Sequence, residues 1–249
     1  MLGAAVVVFL VAAGMLIHIF MEYKKGTDIY ENISSSVLTP VDKPTVDGTD
    51  TSSDEEENLP FVYDHQALLN INSEGQGYLY IPSIDLRLPV VQGTDNEYYL
   101  NHTFNKVYNA AGALFIDSRV DKGLGGSNVI IYGHNMLNQT MFSNLTKMLN
   151  KSFFNDSNNL YINLTTECKK TIWKIFSVYV TNPDTYYMTI GFSSPSAHQD
   201  FLNTIKNRSM YTFDEQVTVT DKILTLSTCT NLNTKRLVVH AKLIYSENK

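Results

Sequence analysis

The chain is short of several kinds of residue, and each shortage closes off a kind of function. Only two of its 249 residues are cysteine, Cys168 and Cys229, too few to staple a domain of this size with disulfides. Cys168 sits in the polar stretch Thr166-Glu-Cys-Lys-Lys170, far from Cys229 in sequence, and a bridge between them is not expected. Positive charge is short too. The formal net charge is −6, whereas nucleic-acid binding depends on Lys and Arg neutralising phosphates, so no nucleic-acid partner is expected. The six histidines include no pair with metal-ligand spacing, which argues against a zinc site. Lys122-Gly-Leu-Gly-Gly126 lacks the flanking strand, lysine and helix of a phosphate-binding loop. No internal repeat is visible.

Charge is missing altogether from residues 2–21, a run long enough at helical rise to cross a bilayer core of roughly 30 Å. Residues 1–22 are therefore read as a transmembrane signal-anchor helix, with His18 near the interface. A cleaved signal peptide is the other reading, but the run is longer than a usual apolar core and no A-x-A site follows it. Behind it, residues 26–59 are rich in Ser, Thr, Asp and Pro and contain Asp54-Glu-Glu-Glu57. Such a tract cannot bury enough apolar surface to fold. Residues 23–60 are accordingly expected to form an acidic flexible linker, and residues 61–249 the folded domain.

That domain reads as mainly β. Tyr78-Leu-Tyr-Ile81, Leu86-Arg-Leu-Pro-Val-Val91, residues 112–117, residues 127–132, Asn159-Leu-Tyr-Ile-Asn163 and residues 170–180 are rich in apolar and β-branched side chains, as strands are. Val217-Thr-Val-Thr220, Lys222-Ile-Leu-Thr-Leu226 and residues 236–244 read the same way. Helical spacing marks residues 61–72, 141–149 and 194–207, with His65 and His198 at exposed helix positions. Short strands with brief helices favour an antiparallel barrel or sandwich over βαβ units.

Three strand ends carry chemistry. Thr225-Leu-Ser-Thr-Cys229 ends one strand, Lys235-Arg236 opens the next, and Asn128-Val-Ile-Ile-Tyr-Gly-His134 ends a third. A thiol attacks as the thiolate, so Cys229 needs cationic neighbours; His134 as imidazolium and Arg236 can supply them. By itself Cys229 reads as a small buried apolar residue. Beside Gly133-His134 and Lys235-Arg236 it reads as a nucleophile. His240 lies on the Arg236 face of its strand, about 13 Å away at the roughly 3.3 Å rise per residue, and is read as a barrel-face residue. His102 is expected to pack or hydrogen-bond locally.

With these motifs, with Asn96-Glu-Tyr-Tyr-Leu-Asn-His-Thr-Phe104, Pro89-Val-Val-Gln-Gly93 and Thr140-Met-Phe142 in the same order, the chain resembles a class B sortase, a Gram-positive cysteine transpeptidase. The resemblance runs from about Phe61 to Ile244. It implies an eight-stranded sortase barrel with an N-terminal helical extension and a helix in the loop before the cysteine strand. It also implies that Cys229 attacks an Asn-Pro-x-Thr-x-like C-terminal sorting signal to form a thioester. His134 is then the general acid and Arg236 the donor to the substrate carbonyl or oxyanion. The partners implied are surface proteins bearing that signal and a peptidoglycan amine, or its lipid-linked precursor, as acceptor. No metal or organic cofactor is required. Asn96, Leu100 and Ser227 match positions near the signal groove, and the loop around Tyr187 and Ile190 is expected to add specificity. Many class members have an acidic residue just after the cysteine, where Thr230 and Asn231 stand here. The resemblance places the catalytic domain outside the cell; counting positive charges alone would put Lys24 and Lys25 in the cytoplasm. Two rival readings stay open: a pilin-polymerising sortase with a lysine acceptor, and a non-catalytic surface β-domain.

Overall fold

The computed structural model describes residues 2–41, 59–230 and 234–249. In chain order it contains α1 (Leu2–Val37), β1 (Leu38–Pro40), β2 (Phe61–Tyr63), α2 (His65–Ile71), β3 (Gly75–Ile81), β4 (Leu86–Val91) and β5 (Leu114–Ile116). There follow β6 (Asn128–Tyr132), β7 (Tyr161–Thr166), β8 (Lys169–Thr181), α3 (Pro195–Asn207), β9 (Ile223–Cys229) and β10 (Arg236–Asn248). Short 3-10 turns fill the connections, among them Tyr98–Leu100, Ser143–Leu149 and Tyr186–Met188.

Eight strands close into a barrel in the order β10, β8, β7, β3, β4, β5, β6, β9, with β9 pairing back onto β10. Only β4 with β5 and β6 with β9 run parallel; the other pairs are antiparallel. Side chains alternate between the two faces of a strand, and β10 shows where each face goes. Leu237, Val239 and Ala241 enter the main core with Leu224 and Leu226 of β9. Val238 faces outward into a second apolar cluster formed by Phe176 and Tyr179 of β8 and Phe201, Leu202 and Ile205 of α3. The barrel therefore has a core inside and a smaller one outside, under the long excursion between β8 and β9.

Three expectations need correction. The first concerns the linker. Helix α1 does not stop where the uncharged run ends at Met21 but continues to Val37, because Tyr30, Ile33 and Val37 recur at helical spacing and are buried against the domain. The next residues form β1, which pairs with β2 at Leu38↔Tyr63 and Pro40↔Phe61. Residues 26–41 are thus folded, and the acidic stretch Asp54–Glu57 lies outside the described residues. Among the described residues one helix, α1, is long and apolar enough to cross a membrane; Val6–Val11 and Met15–Leu16 on it are exposed.

The second concerns residues 61–72. Phe61–Tyr63 is a strand, and α2 begins only at His65, where the Asp64 carboxylate accepts a hydrogen bond from the Ala67 N–H at 2.9 Å. The third concerns Val217-Thr-Val-Thr220, which forms no strand. Strand β9 already has β6 on one side and β10 on the other, so no ladder edge is free for it; Val217 and Val219 pack on the outer cluster instead.

Candidate active site

The site grows out of three neighbouring strands. In the parallel β6/β9 pair Tyr132 lies opposite Ser227, and the Gly133 N–H carries the ladder one step further by donating to the Ser227 carbonyl at 3.2 Å. His134 and Cys229 each lie two residues beyond that pair. In the antiparallel β9/β10 pair Cys229 lies opposite Arg236. His134, Cys229 and Arg236 thus occupy one row across adjacent strands spaced about 4.8 Å apart. Since Tyr132, Ser227 and Val238 share their face, the row lies on the outside of the barrel, beneath the β8–β9 excursion.

A glycine at 133 is needed for this turn. A Cβ there would fall 2.4 Å from Leu114 Cδ2 and 2.7 Å from Phe142 Cδ2, so the strand can approach its neighbours only without a side chain. The following residue, His134, is oriented from the other side. Its Nε2 lies 2.6 Å from the Leu100 carbonyl; a carbonyl only accepts, which assigns the proton to Nε2 and leaves Nδ1 as the exchangeable ring position.

Cys229, His134 and Arg236 line a cleft of about 310 Å³ together with Asn96, Leu100, Ser227 and Tyr187. Ser227 is buried, and its hydroxyl lies 3.1 Å from the Tyr187 hydroxyl. Burial pushes the Tyr187 phenol above its ordinary range, with the Ser227 bond and then the Arg236 guanidinium pulling the other way. Asn96 anchors the wall: its Oδ1 accepts from the Ser118 N–H at 2.8 Å. A larger hollow, about 500 Å³, lies elsewhere, between α1 and β4.

Of the residues named from sequence, Ile190 is the exception. It does not line the cleft but packs against the main core; Met188 lines the wall in its stead. Residue 231 of the position after the cysteine lies outside the described residues, while Thr230 donates its N–H to the Lys235 carbonyl at 3.0 Å. His198 is buried, stacked on Phe192 at 4.0 Å, rather than exposed. His65 is half-buried with Nδ1 2.7 Å from the Tyr63 hydroxyl. His102 stacks on Tyr98 at 4.0 Å and contacts its carbonyl through Nδ1 at 2.8 Å, a local role. His240 is sealed between the Tyr179 hydroxyl (2.9 Å) and the Thr225 hydroxyl (2.8 Å), and burial holds its ring down to about 3. It is a neutral outer-cluster residue.

Sequence reasoning missed one part of the cleft wall. Asp117 is buried and receives Arg119 Nε at 2.9 Å, Arg119 Nη2 at 2.7 Å and the Tyr132 hydroxyl at 2.9 Å. Burial alone would raise its carboxyl; these bonds, with the Arg119 N–H and Asn96, outweigh that and hold it down to about 2. Arg119 also donates to the Met188 carbonyl at 3.2 Å, tying the β8–β9 excursion to the barrel. An acid ending an apolar strand, with arginine two residues on, was the available signal.

The sequence pattern of the sortase domain matches residues 79–244. Sortase B of Listeria monocytogenes is 32% identical over 236 residues, covering 92% of each chain. The chain belongs to the sortase family, and within it to class B. Sortase B of Staphylococcus aureus is 34% identical over 182 residues, 72% of this chain and 74% of the relative. Among solved structures, sortase B from Bacillus anthracis in complex with AAEK1 superposes with a TM-score of 0.74 at 32% identity, covering 90% of this chain and 99% of that one. As a class B sortase, the chain is a cysteine transpeptidase with the closed eight-stranded sortase barrel. In chemical terms the row offers one thiol, one ring that can carry a proton, and one permanent cation.

Proposed function

We propose that this sortase is a membrane-anchored enzyme that attaches proteins bearing a C-terminal, Asn-Pro-x-Thr-x-like sorting signal to a peptidoglycan amine. Residues 2–21 are the anchor and the catalytic domain faces outward. Cys229 attacks the threonine carbonyl carbon. As the tetrahedral intermediate collapses, the peptide C–N bond breaks and His134 Nδ1–H gives its proton to the departing amine. The upstream protein is left as a thioester on Cys229. Arg236 stabilises the oxyanion as a permanent cation with donors in a fixed plane. An amine of peptidoglycan or of its lipid-linked precursor then attacks the thioester, its proton passes to the now neutral His134 Nδ1, and the C–S bond breaks, leaving an amide, the Cys229 thiolate and the His134 imidazolium for the next cycle. Asn96, Leu100, Ser227, Tyr187 and Met188 contact the signal peptide, and Asp117 with Arg119 keeps that wall in place.

The observation that supports this reading is the shared row of His134, Cys229 and Arg236 at one cleft. The test is incubation of the full chain in detergent with a library of quenched sorting peptides, beside Cys229→Ala. The reading requires cleavage of a threonine-containing subset and none by the variant; cleavage surviving in Cys229→Ala overturns it. Mass spectrometry of products formed with wall precursor then separates a wall-peptide adduct from the isopeptide-linked polymer that a lysine acceptor would give.

A further inference from the structure

The helix that carries the apolar run reaches the neighbourhood of the catalytic histidine directly. On α1, the Tyr30 hydroxyl donates to the Gly112 carbonyl at 2.5 Å and accepts from the Phe104 N–H at 3.2 Å, in a buried position. Gly112 turns with φ +58°, and the atoms around it belong to the site. A Cβ there would lie 3.1 Å from His134 Cδ2 and 2.6 and 2.8 Å from the carbonyl oxygens of Tyr99 and Leu100. The Leu100 carbonyl is the acceptor that orients His134. The segment between Leu100 and Gly112 is held to α1 at a second point as well. Asn109 Nδ2 donates to the Glu22 carbonyl at 3.0 Å, and the Asn109 carbonyl accepts from the Gly112 N–H at 3.1 Å. Gly26 lets the two approach, since a Cβ on it would fall 2.9 Å from Asn109 Oδ1.

We propose that Tyr30 is a positioning residue for transpeptidation: from the anchor helix, its hydroxyl fixes Gly112 and through it the His134 ring and the Leu100 carbonyl. The inference rests on the reading of His134 as the proton donor. A catalytic group needs support to within a fraction of an ångström, and misplacement by about 1 Å can cost on the order of 100-fold in rate. Tyr30 touches no substrate, so its loss lowers turnover without weakening peptide binding. The stretch that composition marks as a tether is, on this account, a strut between membrane and active site.

Tyr30→Phe keeps the ring and removes the hydroxyl. Ser34→Ala is the control: Ser34, also on α1, bonds the Tyr78 hydroxyl at 2.7 Å and has no route to Gly112. Both are compared with wild type as full chains in detergent, for kcat and KM on a cleaved sorting peptide and for thermal midpoint. The expected result is kcat for Tyr30→Phe at least threefold below that of Ser34→Ala, with KM within twofold of wild type. A smaller difference, or a change confined to KM, overturns the proposal. If Tyr30→Phe melts well below the control, Asn109→Asp is read by the same criterion. It keeps the acceptor for the Ala111 N–H at 2.9 Å but loses the donor to Glu22. Cys229→Ala runs alongside: cleavage by that variant means the reading of the site has failed, whereas an inactive Cys229→Ala with a normal Tyr30→Phe means only this inference has.

Discussion

Cys229 and Arg236 share a rung of the β9/β10 ladder at which no backbone hydrogen bond intervenes. The next rung, Thr230 with Lys235, carries the N–H to carbonyl bond at 3.0 Å. Antiparallel rungs alternate, so the Cys229 and Arg236 Cα atoms lie about 4.5 Å apart, the closer of the two spacings. This closeness predicts that the guanidinium's shape matters as well as its charge. Arg236→Lys keeps the cation and loses the planar fork. Its kcat/KM on a sorting peptide should fall by about 100-fold, the cost of removing one oxyanion donor, and Arg236→Ala should fall at least as far.

Helix α1 makes a prediction about truncation. A chain beginning at Phe61 removes the buried Tyr30, Ile33 and Val37 and deletes the partner strand of β2. With roughly 1.5–3 kcal/mol for each buried side chain, it should lose on the order of 5 kcal/mol of stability, read by urea denaturation. A chain beginning at Glu22 keeps these contacts and should unfold near the full-length midpoint.

Gly133→Ala should disturb fold and activity together. Its methyl must displace Leu114 or Phe142, and overpacking of this kind costs about 1–3 kcal/mol. Because the residue abuts His134, turnover should drop more than stability does, measured as kcat beside denaturation.

Stability should fall with acid in two overlapping windows. His240 titrates at about 3 in the fold against 6.5 ordinarily, and Asp117 at about 2 against 3.8. Both bind protons more readily in the unfolded chain, so unfolding takes up protons as pH drops. The His240 contribution is complete above about pH 7 and is lost between 6.5 and 3; that of Asp117, about 2 kcal/mol, is lost between about 4 and 2. Denaturation across pH 7 to 2 measures this, and His240→Gln should flatten the upper window.

Much of this was legible in the sequence, and the failures have physical causes. The apolar, β-branched runs along 223–229 and 236–244 exposed the two strands of the site, since their inner faces lie in the main core and Ile223 and Val238 on their outer faces lie in the second cluster. The Tyr30, Ile33, Val37 stripe was hidden because Ser, Asp and Gly around it dominate the composition; periodicity, not content, carried the signal. His198 fell on the face of Phe201, Leu202 and Ile205, at spacings of three, four and seven, and was readable as buried. Ile190 and Met188 could not be told apart, because an irregular loop has no period to assign faces. Asp117 carries only a weak local signal, Arg119 two residues on; its burial and the fold-back of that arginine depend on Tyr132 and the Met188 loop, which are distant in sequence.

The most direct measurement is intact mass of the full chain quenched by acid during turnover of a sorting peptide, followed by peptide mapping. A hydroxylamine-sensitive adduct equal to the peptide's N-terminal fragment, on the peptide containing Cys229 and absent from Cys229→Ala, is the predicted result. Turnover with no such adduct, or an adduct on Cys168, would contradict the account.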